Sequence, residues 1–387
     1  MPANKRQHFV PKCHMKPFSL DRQAKAINAY NWQADRGIQN VPVKGQCARD
    51  YFYGHDLELE KILGQLEGGY GAIIRKIEEA PETLTEEDLR ELRSFASLQM
   101  SRTEQAIKRR AKAVEGMDEL SYRGMEDAKK EEPNVTHEFL MLMAIKHWVE
   151  LRPHFRDLDI VLLRNETKTD FVTSDDPAIL INRLYSQRLG HRPFGIIAAG
   201  VQLVMPLTPR VAFLCYDRAT YAAPNRQGFW LPITRPNDVD ALNQLQFISC
   251  ASNIYFDRWE QLEYVKGGFK EAAELRPKSW FRHWVGVLEK KTPAGELYWR
   301  VDPEVGVGKA TKVISHSPIY PKPSRWVSEL PFRPKVFAFE NGSAVGLIRE
   351  AQVTLAAPAF RRREVTREPY DERGPETALL RTGGIRA

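Results

Sequence analysis

The sequence predicts an α+β fold in which a helical segment at about residues 56–150 packs on a largely antiparallel sheet at about residues 158–256. Three observations support this prediction. Apolar residues recur at helical spacing through the first stretch, β-rich runs dominate the second, and the two patterns do not alternate along the chain. Elements grouped in this way are typical of α+β domains and not of repeated βαβ units.

The N-terminal region up to about Tyr53 mixes strand-like pieces with turns. Residues 26–32 are rich in strand formers, whereas Asn40, Pro42 and Gly45 mark turns. We therefore expect strands and loops before the first long helix.

Three helices are predicted in the helical segment. The first follows Asp56, and the second starts near Thr85, where Asp88 three residues later completes a variant of the capping box. The third covers residues 137–149, and its apolar character predicts a buried helix.

Strand patterns follow the third helix. Residues 159–164 and 170–174 are rich in strand formers and flank a polar stretch at 165–168, so the three together predict a hairpin. The further predicted elements are two strands at 201–205 and 211–216, and a helix at 238–250 that is capped by Asn237 behind Pro236.

The chain is expected to divide into three regions. Residues 1–260 form the core domain, and residues 261–360, which are rich in Trp and Pro, form a C-terminal subdomain of irregular structure. Residues 361–387 carry seven arginines against five acidic residues, with Gly and Pro interspersed, and are expected to form a disordered basic tail.

Composition narrows the class of protein. With 387 residues, of which 42% are hydrophobic, the chain can bury a large core, which excludes global disorder. Its apolar runs are too short to span a bilayer and its N-terminus lacks the apolar stretch of a secretion signal, so we expect a cytoplasmic protein with no membrane partner. The four cysteines form no metal-binding spacing, and Walker A, GxGxxG and HExxH motifs are absent, so no metal and no cofactor are predicted.

The formal net charge of +7 favours nucleic acid or another anionic ligand as a partner, although a solvated surface also explains an excess of this size. Lys108, Arg109, Arg110 and Lys112 form a basic cluster near the expected end of a helix. Positive charge at a helix C-terminus is favourable without a ligand, and phosphate contact is the alternative interpretation.

Several short motifs occur in an order that resembles one protein family. They are Gln-His-Phe-Val-Pro at 7–11, Lys-Pro-Phe at 16–18, Asp-Tyr-Phe-Tyr ending at Tyr53, Phe-Val-Thr-Ser-Asp-Asp-Pro at 171–177, Pro-Leu-Thr-Pro at 206–209 and Ala-Leu-Asn ending at Asn243. Together they are similar to the domain of unknown function 4238 family over roughly residues 5–257. The resemblance supplies candidate positions and implies no reaction. Asp176 stands where this family usually has Asn, and this departure weakens the case for a role of Asp176.

The helix after Thr85 carries polar residues on its apolar face. Gln99 and Arg102 lie on the same stripe as Leu92 and Phe95. A buried guanidinium is costly unless it is paired, so we expect a carboxylate, a set of carbonyls or an anionic ligand opposite Arg102. A structural ion pair and a functional site explain this pattern equally well.

Other candidates lie outside that helix. Asp175 ends a predicted strand just before a proline and is the best candidate carboxylate, with a local Asx turn as the alternative. His8, next to Gln7, can act as a general acid or base near neutral pH, although a lone His is more often a packing residue. Ser174 lacks the GxSxG elbow of a nucleophile, and Asn243 suits either a site or a polar link in the core.

The leading hypothesis is a hydrolase, namely a metal-independent phosphodiesterase or nuclease that acts on an anionic substrate. Arg102 would bind the anion, and His8 and Asp175 would share the acid and base work in one pocket. Asp159, Glu166 and Lys168 imitate the spacing of metal-dependent nucleases, but the last two residues fall in the predicted hairpin turn. The alternatives are a non-catalytic module that binds nucleic acid or protein, and a scaffold that interacts through its C-terminal region.

Overall fold

The computed structural model describes residues 5–55, 57–122, 135–190, 192–292, 295–301, 312–341, 345–353 and 360–366. Its helices cluster before residue 152, and antiparallel pairs predominate in its sheets, so the fold is α+β as the sequence predicts.

The N-terminal region is built from short strands. Strand β1 (Arg6–His8) pairs with β4 (Ala48–Asp50), and the short helix α1 (Lys12–Met15) follows β1. Strands β2 (Ala26–Asn31) and β3 (Arg36–Pro42) pair antiparallel. These elements confirm the strand-and-loop character expected of this region.

Four helices follow: α2 (Leu57–Glu79), α3 (Glu86–Arg102), α4 (Glu104–Tyr122) and α5 (His137–Leu151). The capping box at the start of α3 is confirmed, because the Thr85 hydroxyl accepts from the Asp88 amide while the Asp88 carboxylate accepts from the Thr85 amide. Helix α5 is not fully buried as predicted. Leu142 on α5 is 57% exposed whereas Met141 is 0% exposed, so the helix is amphipathic.

The larger sheet has five strands in the order β10-β5-β9-β8-β7. The strands are β5 (Asp159–Asn165), β7 (Ile179–Asn182), β8 (Val201–Thr208), β9 (Val211–Tyr216) and β10 (Trp230–Ile233). Only β10 and β5 are parallel within this sheet. A second sheet, in the order β3-β2-β11-β6, contains β6 (Thr173–Ser174) and β11 (Asn253–Phe256).

The predicted hairpin at residues 165–168 is wrong, because β5 and β6 belong to different sheets. The Asn165 side chain accepts from the Thr167 amide at 2.9 Å and donates to the Thr169 carbonyl at 2.7 Å. Arg210 donates to the carbonyls of Asn165 and Thr167 and binds Asp170. These bonds hold residues 165–168 in a loop that leads from one sheet to the other, and Glu166 is exposed in this loop.

Helix α7 (Pro236–Ser249) confirms the predicted helix, with Pro236 at its first position and Arg235, not Asn237, at the N-cap. The later elements are α6 (Arg183–Arg188), α8 (Leu262–Ala272), β12 (Phe281–Thr292), β13 (Gly295–Val301), β14 (Lys312–Pro318), β15 (Phe337–Glu340), α9 (Glu350–Val353) and β16 (Arg361–Glu364). Strands β12 and β14 pack against α4. Because β16 pairs with β15, the expected tail begins with a strand, while residues 367–387 lie outside the described residues.

The main core forms where α3 packs on the five-stranded sheet. Leu92 and Phe95 of α3 share one buried cluster with Leu162, Leu203 and Phe213 of the sheet. Each such side chain contributes about 1.5–3 kcal/mol when it is fully buried, so this interface fixes the position of the middle of α3 on the sheet. No helix among the described residues is long and apolar enough to cross a membrane.

Candidate functional site

Arg102 is fully buried and paired, which confirms the expectation from its place on α3. Its Nη1 lies 2.8 Å from Glu67 Oε1, and its Nε donates to Gln99 Oε1 at 2.9 Å. Gln99 in turn donates to the Phe9 carbonyl at 2.8 Å. The polar residues on the apolar face of α3 therefore connect that helix to α2 and to the N-terminal motif.

The N-terminal motif itself is held by local hydrogen bonds. Gln7 accepts from the Tyr53 amide at 2.6 Å, and the Tyr53 hydroxyl donates to the His8 carbonyl at 3.0 Å. The His8 side chain is partly buried, and burial lowers the pKa of its imidazole to about 4. A His with this pKa is neutral at physiological pH.

Asp175 is buried and binds backbone that is distant in sequence. Its carboxylate accepts from the amides of Ala251, Ser252 and Asn253 at 2.7, 2.8 and 2.9 Å. These three amides form the turn between α7 and β11, so Asp175 locks that turn instead of making a local Asx turn. Burial raises the pKa of Asp175 to about 6.

The side chains of Ser174 and Asn243 hydrogen-bond between α7 and the segment around β6. The Ser174 hydroxyl donates to Gln246 Oε1 at 2.7 Å. Asn243 accepts from the Val172 amide at 3.0 Å and donates to the Asp170 carbonyl at 2.9 Å. Both side chains tie the segment around β6 to α7.

The structure thus separates the sequence-predicted site residues into two groups. Gln7, Gln99 and Arg102 lie around the N-terminal motif, whereas the β6 and α7 residues hold the second sheet. No hydrogen bond or ion pair between described residues joins the side chains of His8, Arg102 and Asp175, and none of the three lines either of the two large cavities described below, so their convergence in one pocket stays a prediction. Arg102 and Asp175 have separate side-chain partners, whereas His8 Nε2 is buried and has no hydrogen-bond partner among the described residues.

A cavity of about 860 Å³, which we call the chamber, lies among α4, α5, the five-stranded sheet and the segment that contains β12 and β14. Its apolar lining includes Met100, Leu140, Leu180, Ile196, Phe281 and Tyr320. Its polar lining includes Arg109, Arg110, His147, His154, Asp176 and Ser249. None of the predicted catalytic residues contributes to this lining.

The chamber wall contains a buried ion pair. Asp176 Oδ2 lies 2.6 Å from Arg109 Nη2, and Asp176 Oδ1 accepts from the Thr103 hydroxyl at 2.6 Å. The Arg109 guanidinium also lies 3.9 Å from the centre of the Trp280 ring. Burial raises the pKa of Asp176, and the charge of Arg109 opposes this shift.

Three polar groups at the chamber have no partner among the residues that the structure describes. Arg109 Nε and Ser249 Oγ are buried and have no hydrogen-bond partner. Arg110 forms no ion pair within the described ranges, and burial lowers the pKa of its guanidinium. Arg110 also adds to the effect of burial in lowering the pKa of His147. The chamber therefore combines apolar walls with unpaired positive charge.

His154 is oriented at the chamber wall by its neighbours. Gln352 Nε2 donates to the Asp157 carboxylate at 2.8 Å, so the Gln352 carbonyl oxygen faces His154 Nδ1 at 2.6 Å. Because an amide oxygen only accepts, Nδ1 must carry the proton. In the neutral ring Nε2 is then an acceptor, which is the state that a general base requires.

The sequence alone does not predict the residues of this wall as a site. The sequence favours Asp175 over Asp176 as the candidate carboxylate. Neighbouring residues of an extended segment point in opposite directions, however, so only one of the two can face the chamber. The run of positive charge favours a helix end without a ligand for Arg109 and Arg110, although both share a helical stripe with the buried Ala106 and Ala113. That stripe is the signal in the sequence that could have found the two arginines.

Comparison with known proteins gives a family and no activity. No curated protein and no solved structure matches the chain. The model of the family described as protein of unknown function DUF4238 matches residues 6–260, which is well over half of the chain. The chain belongs to the DUF4238 family of proteins of unknown function.

Proposed function

We propose that this protein binds an amphipathic organic anion in the chamber. The apolar part of the ligand lies against the walls, and its carboxylate or phosphate lies on Arg110 and on the free Nε of Arg109. The volume of about 860 Å³ falls within the range of small-molecule sites.

The observation that carries this proposal is the unpaired charge of Arg110 beside apolar walls. Burying a cation without a counter-charge is unfavourable, and an anionic ligand offsets that cost. Asp176 is the one carboxylate in the chamber lining of the described chain, and it is already paired with Arg109. A charge-assisted hydrogen bond to Arg110 is therefore open to a ligand.

Hydrolysis in the same chamber is the second candidate. His154 is held in the tautomer of a general base by Gln352 and Asp157, and a base in this position can take a proton from a water molecule as it attacks an ester. The version of the hydrolase hypothesis that rests on His8, Arg102 and Asp175 has less support, because those residues share no cavity lining with the chamber.

Calorimetric titration tests the binding proposal. Straight-chain fatty acids of several lengths are compared with the alcohols of equal length, for the native protein and for Arg110→Gln. We expect the acids to bind more tightly than the alcohols, and Arg110→Gln to remove about tenfold or more of that preference, since hydrogen bonds to charged groups contribute about 1.5–3 kcal/mol. Arg36→Gln, which changes an exposed arginine outside the chamber, is the matched control.

Equal affinity for acids and alcohols, or an unchanged preference in Arg110→Gln, would contradict the binding proposal. The hydrolase candidate is tested separately with chromogenic esters of the acids and with phosphodiesters. His154→Gln should abolish turnover while it leaves the affinity for the uncleaved acid within about twofold. Turnover that survives in this variant would exclude His154 as the base.

A further inference from the structure

A second cavity, also of about 860 Å³, opens beside the chamber, and we call it the groove. It lies where the turn after β2, the helix α8 and the segment before β12 approach one another. The residues that give it its character are Trp32, Lys108, Lys266, Lys270, Arg276 and Trp280. None of the sequence-predicted site residues lines it.

The charge of the groove is positive. Four cations line it, against the two carboxylates of Asp35 and Glu263. Asp35 accepts a hydrogen bond from the Tyr30 hydroxyl at 2.6 Å, and Glu263 lies 3.2 Å from Lys266 on the same helix. Lys270 is exposed and has no ion pair in the part of the chain that the structure describes, so its charge is available to a phosphate.

The aromatic part of the groove is rigid. The Arg276 guanidinium stacks on Trp32 at 4.2 Å and donates to the carbonyls of Phe247 and Cys250 at the end of α7. Trp280 lines both cavities, and Arg109 covers one face of its ring. The indole of Trp280 is therefore a wall shared by the chamber and the groove.

Consecutive residues of α4 serve the two cavities. Lys108 lines the groove, Arg109 lies against the shared wall and Arg110 lines the chamber. Successive residues of a helix are turned by about 100° from one another, which explains how Lys108 can line the groove while Arg109 and Arg110 line the chamber. The basic cluster of the sequence is thus divided between two separate sites.

We infer that the groove binds a phosphate-bearing nucleobase ligand, either a free nucleoside phosphate or the end of a single-stranded nucleic acid. Lysines on flexible stems contact phosphates as point charges, and planar indole and guanidinium groups stack on bases. Both kinds of group line the groove, and its volume suits a ligand of one or a few nucleotides. This inference goes beyond the amphipathic-anion proposal and does not depend on it.

The test measures ATP binding by calorimetry and binding of a short fluorescein-labelled single-stranded RNA by anisotropy, each at low and physiological salt. The native protein is compared with Lys266→Gln/Lys270→Gln, with Trp280→Leu and with the charge-matched control Lys25→Gln/Lys61→Gln, whose lysines are exposed and outside the groove. Thermal melts establish that each variant is folded. Arg110→Gln is included because it changes the chamber and leaves the lining of the groove intact.

Saturable binding is expected for ATP, for the RNA or for both. The tighter of the two shows whether the natural ligand is a free nucleoside phosphate or the end of a single-stranded nucleic acid. The groove double variant should weaken binding about tenfold and, for RNA, reduce the slope of log affinity against log salt by about 1.4, the value for two phosphate contacts to a single strand. Trp280→Leu should weaken it about tenfold through lost stacking. Neither Arg110→Gln nor the control should change it. Absence of saturable binding for both ligands, or equal losses in the groove and control variants, overturns the inference and leaves the chamber proposal untouched.

Discussion

Asp176 and Arg109 form a buried ion pair that joins three parts of the chain, with 2.6 Å between carboxylate and guanidinium. Thr103 binds the same carboxylate, and Trp280 covers the guanidinium. The pair therefore links the start of α4, the exit from β6 and the segment before β12. The Asp176 side chain is 1% exposed and that of Arg109 is 21% exposed, so the carboxylate is the member that cannot be rehydrated without opening the wall.

Asp176→Ala should lower the free energy of unfolding by about 3–5 kcal/mol, because it leaves Arg109 and Thr103 without their partner in a buried wall. Asp176→Asn should cost less, since an amide oxygen still accepts from Thr103. Urea denaturation measures both changes. Glu263→Gln, which breaks an exposed pair with Lys266, is the control and should stay within about 1 kcal/mol of the native protein. An Asp176→Ala variant as stable as this control would contradict the structural role.

Asp175→Ala should destabilise the fold by about 3 kcal/mol, because it removes the acceptor of three partly buried backbone amides, those of Ala251, Ser252 and Asn253. The affinity of the chamber for fatty acids should be unchanged under conditions in which the variant is folded. Thermal melts and calorimetric titration of the same preparation separate the two effects. A native melting temperature together with lost ligand binding would return Asp175 to a functional role.

The sequence predicted local features of the fold better than long-range ones. The capping box of Thr85 and Asp88 depends on residues within one turn of each other and is confirmed, and the helix predicted at 238–250 is confirmed as well, although its N-cap is Arg235 and not Asn237. The hairpin after β5 failed because strand formers on both sides of a polar stretch do not reveal which sheet each strand joins. The loop between the two strands is held by Arg210, which lies more than 40 residues beyond Asn165 in the chain, so a local pattern does not contain this contact.

The same limit explains the outcome for the site. The pairing of Arg102 was predictable because burial of a charge follows from the stripe on α3, whereas its partner Glu67 lies on another helix and was not. The chamber could not be predicted, because its walls come from α4, α5, the sheet and the segment after residue 280. The sequence contains no local pattern that states which of these surfaces approach one another.

Arg102→Met should lower the free energy of unfolding by about 3–5 kcal/mol, because it breaks a buried charge pair and leaves Gln99 Oε1 without a donor. Arg102→Lys should recover little of the lost free energy of unfolding, since an ammonium cannot reproduce the two bonds that the planar guanidinium makes to Gln99 and Glu67. Urea denaturation provides the values. Arg90→Met removes the exposed pair with Glu87 and is expected to leave the free energy of unfolding close to that of the native protein. Equal losses for the Arg90 and Arg102 variants would show that the buried network adds no stability.

His14 should make the fold sensitive to mild acid. Both of its ring nitrogens are hydrogen-bonded at 2.8 Å, to the hydroxyls of Tyr70 and Thr173. Burial, followed by the charge of Arg102, lowers the pKa of His14 to about 3 from an ordinary value of 6.5. Between these two values the unfolded chain binds one more proton than the folded chain, so the free energy of unfolding falls as the pH is lowered, by about 1.4 kcal/mol per pH unit from this group.

The measurement is urea denaturation at a series of pH values from 7 down to about 4, the range in which the His14 contribution changes. His14→Gln retains hydrogen-bonding capacity but cannot titrate, so its stability should fall less steeply with acid than that of the native protein, even though it is less stable at pH 7. His55→Gln, which replaces an exposed histidine, should keep the native steepness. The steepness below pH 6.5 is the decisive quantity, because a purely structural loss in His14→Gln would lower the whole curve without changing its slope. Parallel curves for the native protein and His14→Gln would therefore show that His14 is not the group that couples stability to pH.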